Sequence, residues 1–134
     1  MEILDFFAPL KKLAKIPQTK LGGVACFFIK NGAIISSGIN HNPSGGPMDQ
    51  EVGGKIIAHP DVIHAEIAAI QAAKENGVNL TGSTLLLTMS PCLQCAEAIV
   101  ETHIDQLHYL YDWWDKAALD LLRKNDIKIV KESL

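Results

Sequence analysis

His64 and Glu66, one residue apart, and Cys92 and Cys95, separated by Leu93-Gln94, are the residues of this chain whose types and spacing can do chemistry. An imidazole and two thiols are three good zinc ligands, and a catalytic zinc keeps three protein ligands so that the fourth position stays open. Glu66 is then left beside the metal without being needed as a ligand. A carboxylate so placed can take a proton from an activated water and pass it to a leaving group. Cys92 and Cys95, three apart, share a helix face. Ser90 suits an N-cap and Pro91 the first helical position, which predicts both cysteines in the first turn of a helix that follows a strand. The helix dipole there favours thiolate over thiol. His64 and Glu66 open the run from Ile67 to Ala73. Residues two apart in an ideal helix point to nearly opposite sides, so this pair can serve one site only where a helix is just beginning.

Two plainer readings compete. A Cys-x-x-Cys at a strand-to-helix junction suits a redox dithiol, but a dithiol has no use for the upstream His-x-Glu. A structural zinc needs a fourth protein ligand, for which His59, His103, His108 and Cys26 are the nominees. None lies at a customary ligand spacing.

The elements that must position these residues follow from periodicity. Ile3, Phe6, Phe7, Leu10, Leu13 and Ala14 recur at helical steps from Glu2 to Ile16, ended by Pro17, with Pro9 near the first turn or at a kink. Lys11, Lys12 and Lys15 are most simply its wet face, with phosphate binding as the minority reading. Leu21 to Lys30 and Ala33 to Ser37 are apolar runs joined by Asn31-Gly32, a strong hairpin signal. Cys26 is expected to pack in the first of them as a small hydrophobe, and Gly22-Gly23 before it to let the backbone approach something closely. His41 to Asp61 is rich in glycine and proline and reads as a long loop, functional or partly disordered, part of which is expected to wall the site, with Lys55 to His59 a short strand or a turn. A helix then ends at Asn76-Gly77. Strands over 83–89, 106–111 and 127–131 alternate with helices to about Thr102 and over 114–124. Helices between successive strands imply parallel neighbours joined by right-handed crossovers. The expected fold is α/β, a three-layer α/β/α sandwich around a mixed five-stranded sheet, with its site at the carboxyl ends of parallel strands.

The 134 residues fit a single domain, 1–134. A net charge of −3 and the absence of a Lys/Arg cluster disfavour a long polynucleotide as partner and favour a small molecule. The N-terminus carries no basic segment with a small-residue cleavage site, and no apolar run approaches a membrane span of about 20 residues. Two cysteines committed to metal leave Cys26 unpaired, which suits a reducing compartment. A soluble, cytoplasmic protein is expected.

On Val62-Ile63-His64-Ala65-Glu66 and Ser90-Pro91-Cys92-Leu93-Gln94-Cys95-Ala96 the chain resembles the cytidine/deoxycytidylate deaminase superfamily, whose signature is H-x-E followed by P-C-x-x-C. Within it the chain is most like the deoxycytidylate (dCMP) deaminases. Weaker agreement lies in Thr19 to Gly22, Gly38 to Gly45 and Leu119 to Leu122. The resemblance implies one Zn²⁺ on His64, Cys92 and Cys95, Glu66 as proton shuttle, Asn40 as a contact to the sugar, and the backbone N–H of Ala65 holding an oxygen or carbonyl. It implies hydrolysis of a cytosine compound, most simply dCMP to dUMP with loss of ammonia. A free nucleoside or base is the alternative, and a tRNA adenosine or polynucleotide substrate a more distant one.

The chain also departs from the pattern. It reads Asn40-His41 where such enzymes often read Asn-Gly, and Ala68 where they often carry Asn. Many hold a second zinc through cysteines between the hairpin and the H-A-E motif, a region without cysteine here. Regulation by dCTP and dTTP falls into doubt with that second zinc. For a 5′-phosphate the best-placed cation is Lys20, just before the first strand, and Lys55 is second. Either could equally be a solvated lysine. Tyr111 reads as a stacking wall for the base or as part of a core or interface cluster; for Trp113 and Trp114 burial or an interface is the better reading. The tryptophan pair also suggests a homo-oligomer.

Overall fold

The computed structural model describes residues 2–113 and 115–133. A 3₁₀ turn (Ile3–Phe6) leads into α1 (Phe7–Leu13), followed by β1 (Ala25–Lys30), β2 (Ala33–Ile39), β3 (Asp49–Val52), β4 (Lys55–Ala58), α2 (Ala65–Glu75), β5 (Thr84–Met89), α3 (Leu93–Val100), β6 (Gln106–Tyr111), α4 (Lys116–Lys124) and β7 (Lys128–Lys131). Five strands form one mixed sheet in the order β2-β1-β5-β6-β7. β1 is antiparallel to both neighbours, while β5, β6 and β7 are parallel. The mixed sheet flanked by helices is the architecture expected from the sequence.

The apolar runs of β1 and β5 are continuous because both faces of these central strands are covered. On one face Ala25, Phe27, Ile29 and Leu86 meet Phe6, Phe7 and Leu10 of the N-terminal helix. On the other, Cys26, Phe28, Leu85, Leu87, Leu107 and Tyr109 meet α2, α3 and α4 through Ala69, Ile99 and Leu122 among others. The alternation along each strand is the two-residue period of a pleated sheet.

α2 lies unusually close to the sheet, and Gly38 of β2 is the reason. A Cβ there would sit 2.3 Å from the carbonyl oxygen of Ala65. Cys26, paired with Gly38 across the strands, donates its thiol to that same carbonyl at 3.3 Å. The first turn of α2 is therefore seated directly on two strands.

Three expectations are refined. β1 starts at Ala25 rather than near Leu21. The preceding segment folds back on the N-terminal helix, so closely that a Cβ on Gly23 would meet the Ala14 carbonyl at 2.0 Å. The long loop is not irregular throughout: β3 and β4 form a separate two-stranded sheet turned at Gly53-Gly54. α4 begins at Lys116 and not at Trp114, which lies outside the described residues.

Candidate active site

Two helix N-termini converge at the carboxyl end of β5. His64 is the N-cap of α2, with extended backbone at φ −69° and ψ 152°. It is fixed there because Ile63, just before it, pairs with His41 in an isolated antiparallel bridge with bonds of 2.7 and 3.0 Å. Glu66 is the second helical residue. Because His64 stands outside the helix, this pair escapes the opposed directions of residues two apart within one.

The start of α3 differs from the sequence expectation. Its N-cap is Cys92, at φ −76° and ψ 168°, and not Ser90, so that only Cys95 lies within the first turn. The Ser90 hydroxyl is already committed, accepting the Trp113 N–H at 2.6 Å. The leading N–H of α3, on Leu93, is instead met by a carboxylate from another element, Asp115 Oδ2 at 3.1 Å. Asp115 Oδ1 caps α4 at the Ala117 N–H, also at 3.1 Å. One aspartate thus joins the starts of two helices, satisfying donors that helix ends leave open. Its sequence signal was an Asp placed before Lys116-Ala117-Ala118, an ordinary N-cap. Its second bond, 22 residues away, had none.

The result is a tight cluster. His64 Nδ1 lies 3.2 Å from Cys95 Sγ and 3.6 Å from Cys92 Sγ. The three ligand atoms all fall within 4.8 Å of one another. A tetrahedral zinc with Zn–S near 2.3 Å and Zn–N near 2.0–2.1 Å separates its ligands by roughly 3.5–3.8 Å, so the donors present fit that ion in kind and in spacing. His59, His103, His108 and Cys26 are not in the cluster. His108 instead pairs with Glu132 at 2.7 Å. Among the described residues the cluster therefore has three members, as an open catalytic site requires and a closed structural site does not.

The electrostatics agree with a cation site. A hydrogen bond from Cys95, then one from His64, draws the Cys92 thiol down to about 4. The same bond to Cys92, with burial, pushes Cys95 far above the ordinary thiol range. His64 is raised, mainly by its bond to Cys92. A cation binds both sulfurs as thiolates, so its binding is coupled to proton release. Glu66 is only 4% exposed. Burial pushes its carboxyl up to about 7, against the pull of its own backbone N–H and the charge of His64.

Above the cluster lies a cavity of about 400 Å³, within the range of small-molecule sites. Its floor is His64, Ala65, Glu66 and Cys92. Leu21, Gly22, Val24 and Asn40 form one wall, Ile56, Ile57 and Ala58 of β4 another, and Met89, Ser90 and Trp113 complete it. Asn40 is held at the edge of the sheet, its Oδ1 accepting the Val24 N–H at 2.8 Å. Lys20 is exposed immediately beside the lining residue Leu21, and Lys55 is exposed on the β3–β4 hairpin. Tyr111, at the end of β6, is 55% exposed and does not face the cavity, whereas Trp113 does. Trp114 is outside the described residues.

The family model for the cytidine and deoxycytidylate deaminase zinc-binding region matches residues 4–111. The chain belongs to this family. Zinc is the metal of that region, and the cluster of His64, Cys92 and Cys95 is where this member can hold it. Deoxycytidylate deaminase of Enterobacteria phage T2 is 41% identical over 73 residues, covering 50% of this chain but 37% of that protein. An uncharacterized deaminase of Aliivibrio fischeri is 30% identical over 110 residues, covering 77% of this chain and 71% of its relative. The chain thus spans little more than a third of the phage T2 enzyme it matches. Among solved structures, dCMP deaminase from the cyanophage S-TIM5, in complex with dCMP and dUMP, superposes with a TM-score of 0.85 over 98% of this chain and 99% of that one. Sequence identity is 24%, so this family member shares its fold.

Proposed function

We propose that the chain hydrolyses the exocyclic amine of a cytosine nucleotide, dCMP first among them, giving dUMP and ammonia. The observation that carries this reading is Glu66, a buried carboxylate beside a three-donor metal cluster at the floor of a cavity large enough for a nucleotide. His64, Cys92 and Cys95 are the residues that would hold Zn²⁺. When bound, zinc supplies the Lewis acidity that makes water a nucleophile near neutral pH. Two thiolates and a neutral imidazole balance the charge of the ion, so part of the activation falls to the protein.

Glu66 provides it. As the C4–O bond forms, its carboxylate takes the proton released by water. It delivers that proton to N3 of the ring, then takes the proton of the new C4 hydroxyl and passes it to the amine, which leaves as ammonia as the C4–N bond breaks and C4=O forms, so that the carboxylate is regenerated. A carboxyl held near neutral pH by burial can both accept and return a proton at similar cost. The N–H of Ala65, at the positive end of α2, is assigned to an oxygen of the reacting base. Asn40, with Oδ1 tied to Val24, is assigned to a sugar hydroxyl through its amide NH₂. Lys20 is assigned to the 5′-phosphate. For Tyr111 the exposed position favours a contact outside the cavity, and Trp113 takes over the role of stacking on the base.

We also read the chain as an intracellular homo-oligomer. Support comes from the exposed Tyr111, which lies outside the cavity, and from thiols that need reducing surroundings. Sedimentation showing only a 14.6 kDa species at micromolar concentration would contradict the oligomer.

The deciding experiment compares kcat/KM for dCMP, CMP, deoxycytidine and cytosine on one preparation, with adenosine substrates as a further arm. Removing the phosphate should cost at least about tenfold, ~1.4 kcal/mol of transition-state stabilisation. Equal efficiency on dCMP and deoxycytidine would move the chain to nucleoside or base chemistry.

A further inference from the structure

The β3–β4 hairpin forms a sheet of its own, yet β4 supplies one wall of the cavity through Ile56, Ile57 and Ala58. Another part of the lining, Leu21 and Gly22, comes from an irregular segment ahead of β1. Neither belongs to the main sheet, so something must set the distance between them. We propose that Asp49 is a positioning residue for the substrate, a carboxylate clasp that joins the two walls across the mouth of the site.

The geometry is two-pronged. Asp49 Oδ1 accepts the Thr19 hydroxyl at 2.5 Å, and Oδ2 accepts the Lys20 N–H at 2.7 Å. Thr19 Oγ1 in turn accepts the Leu21 N–H at 3.1 Å, which fixes the turn that presents Leu21 and Gly22. On its own side Asp49 is paired with Ala58, and its neighbour Gln50 with Ile57, so the carboxylate sits in register with the lining residues of β4. Charge-assisted bonds to a hydroxyl and a backbone N–H are short and directional. They hold the Asp49 carboxyl below the usual carboxylate range, the Thr19 hydroxyl first and the Lys20 N–H second. The clasp touches none of His64, Glu66, Cys92 or Cys95, so it acts on the fit of the substrate and leaves the reacting atoms alone. It also fixes the backbone of Lys20, and thereby the origin of the side chain assigned above to the phosphate.

This inference rests on the deaminase reading, and the test separates the two. Asp49→Ala, Thr19→Val and their double variant are assayed on dCMP for kcat and KM separately, with zinc content and melting temperature recorded. Hydrogen exchange is followed at residues 19–22 and 49–58. The clasp predicts KM raised about tenfold with kcat within twofold, full zinc content, and faster exchange in both segments with α2 unchanged. The double variant should be no worse than Asp49→Ala, and Thr19→Ser, which keeps the hydroxyl, should restore wild-type KM. A KM within twofold of wild type in Asp49→Ala, or equal losses in Thr19→Ser and Thr19→Val, would overturn the proposal. If Asp49→Ala folds poorly, the Thr19 pair decides alone, since those changes leave the carboxylate in place. A wild-type chain inert on dCMP would instead sink the deaminase reading. Exchange would then judge the clasp, unchanged rates in both segments refuting it.

Discussion

The floor and the walls of the cavity are built by different means. Beneath it, the starts of α2 and α3 rest on the central strands, with Ala65, Ala69, Cys95 and Ala96 buried and Gly38 admitting the helix backbone. Around the mouth, Leu21, Gly22, Ile57 and Ala58 are exposed, and the β3–β4 hairpin is a two-stranded piece of its own. Close packing leaves the floor no room for adjustment, whereas a small exposed hairpin is only marginally stable by itself. Chemistry is thus assigned to the part that cannot move and recognition to the part that can vary. Changes in the floor should strike turnover, metal or stability; changes in the walls should strike affinity and selectivity.

The largest effect is expected from Glu66→Ala. On the proposed mechanism the carboxylate moves protons without ligating, so kcat should fall by about 10²–10⁴-fold while zinc content, read by atomic absorption, stays at the wild-type level. Cys92→Ala should do the converse and lose the metal, and with it part of the folding free energy. An active Glu66→Ala enzyme would dissolve the division between proton shuttle and ligand.

The next effect concerns stability without metal. Burial raises Glu66 from its ordinary 4.5 to about 7. Between those values the unfolded chain has released the proton and the folded chain still holds it, so folding is progressively weakened as pH rises. The penalty is complete above about pH 7 and absent below about 4.5. Glu66→Gln removes it, so the metal-free variant should outlast metal-free wild type by up to about 3 kcal/mol at pH 8, with the gap closing towards pH 4.5. Denaturant titrations at several pH values check this. A gap independent of pH would mean that the carboxyl is solvated.

Gly38→Ala probes the same floor from beneath. Its methyl group would collide with the Ala65 carbonyl. Forcing atoms into a packed core typically costs about 1–3 kcal/mol, and here the strain falls on the turn that carries His64 and Glu66. Both thermal stability and zinc affinity should drop, whereas a variant of wild-type stability and zinc affinity would show α2 to be less firmly seated.

The same division explains what could be read in advance. His64, Glu66, Cys92 and Cys95 were legible because few chemistries use those types at those spacings, and β1 and β5 because their apolar runs are uninterrupted. β3 was not legible: Asp49-Gln50-Glu51-Val52 offers no apolar alternation, and it forms a strand because β4 pairs with it around Gly53-Gly54. The start of α3 was misplaced because its cap is supplied by Asp115 from beyond the next strand. Tyr111 was nominated for the cavity instead of Trp113 because a strand end does not disclose which way the chain turns after it. For α3 the deciding partner lies outside the window in which periodicity operates, whereas β3 pairs with the strand next to it in the chain and was hidden by its own polar composition.

The smallest effect is expected in the wall, at Lys20. A phosphate must meet a cation or a group of backbone N–H donors, and Lys20 stands exposed next to Leu21 on a backbone pinned by Asp49. Lys20→Ala should lower kcat/KM for dCMP by about tenfold, ~1.4 kcal/mol, and leave deoxycytidine untouched, so that the preference for the nucleotide disappears. The loss should shrink as salt is raised, because an exposed pair is screened. Lys55→Ala, on the hairpin, is the control. If it and not Lys20→Ala removed the preference, the phosphate would lie against the other wall, and the clasp would be holding the hairpin lysine in reach of the ligand.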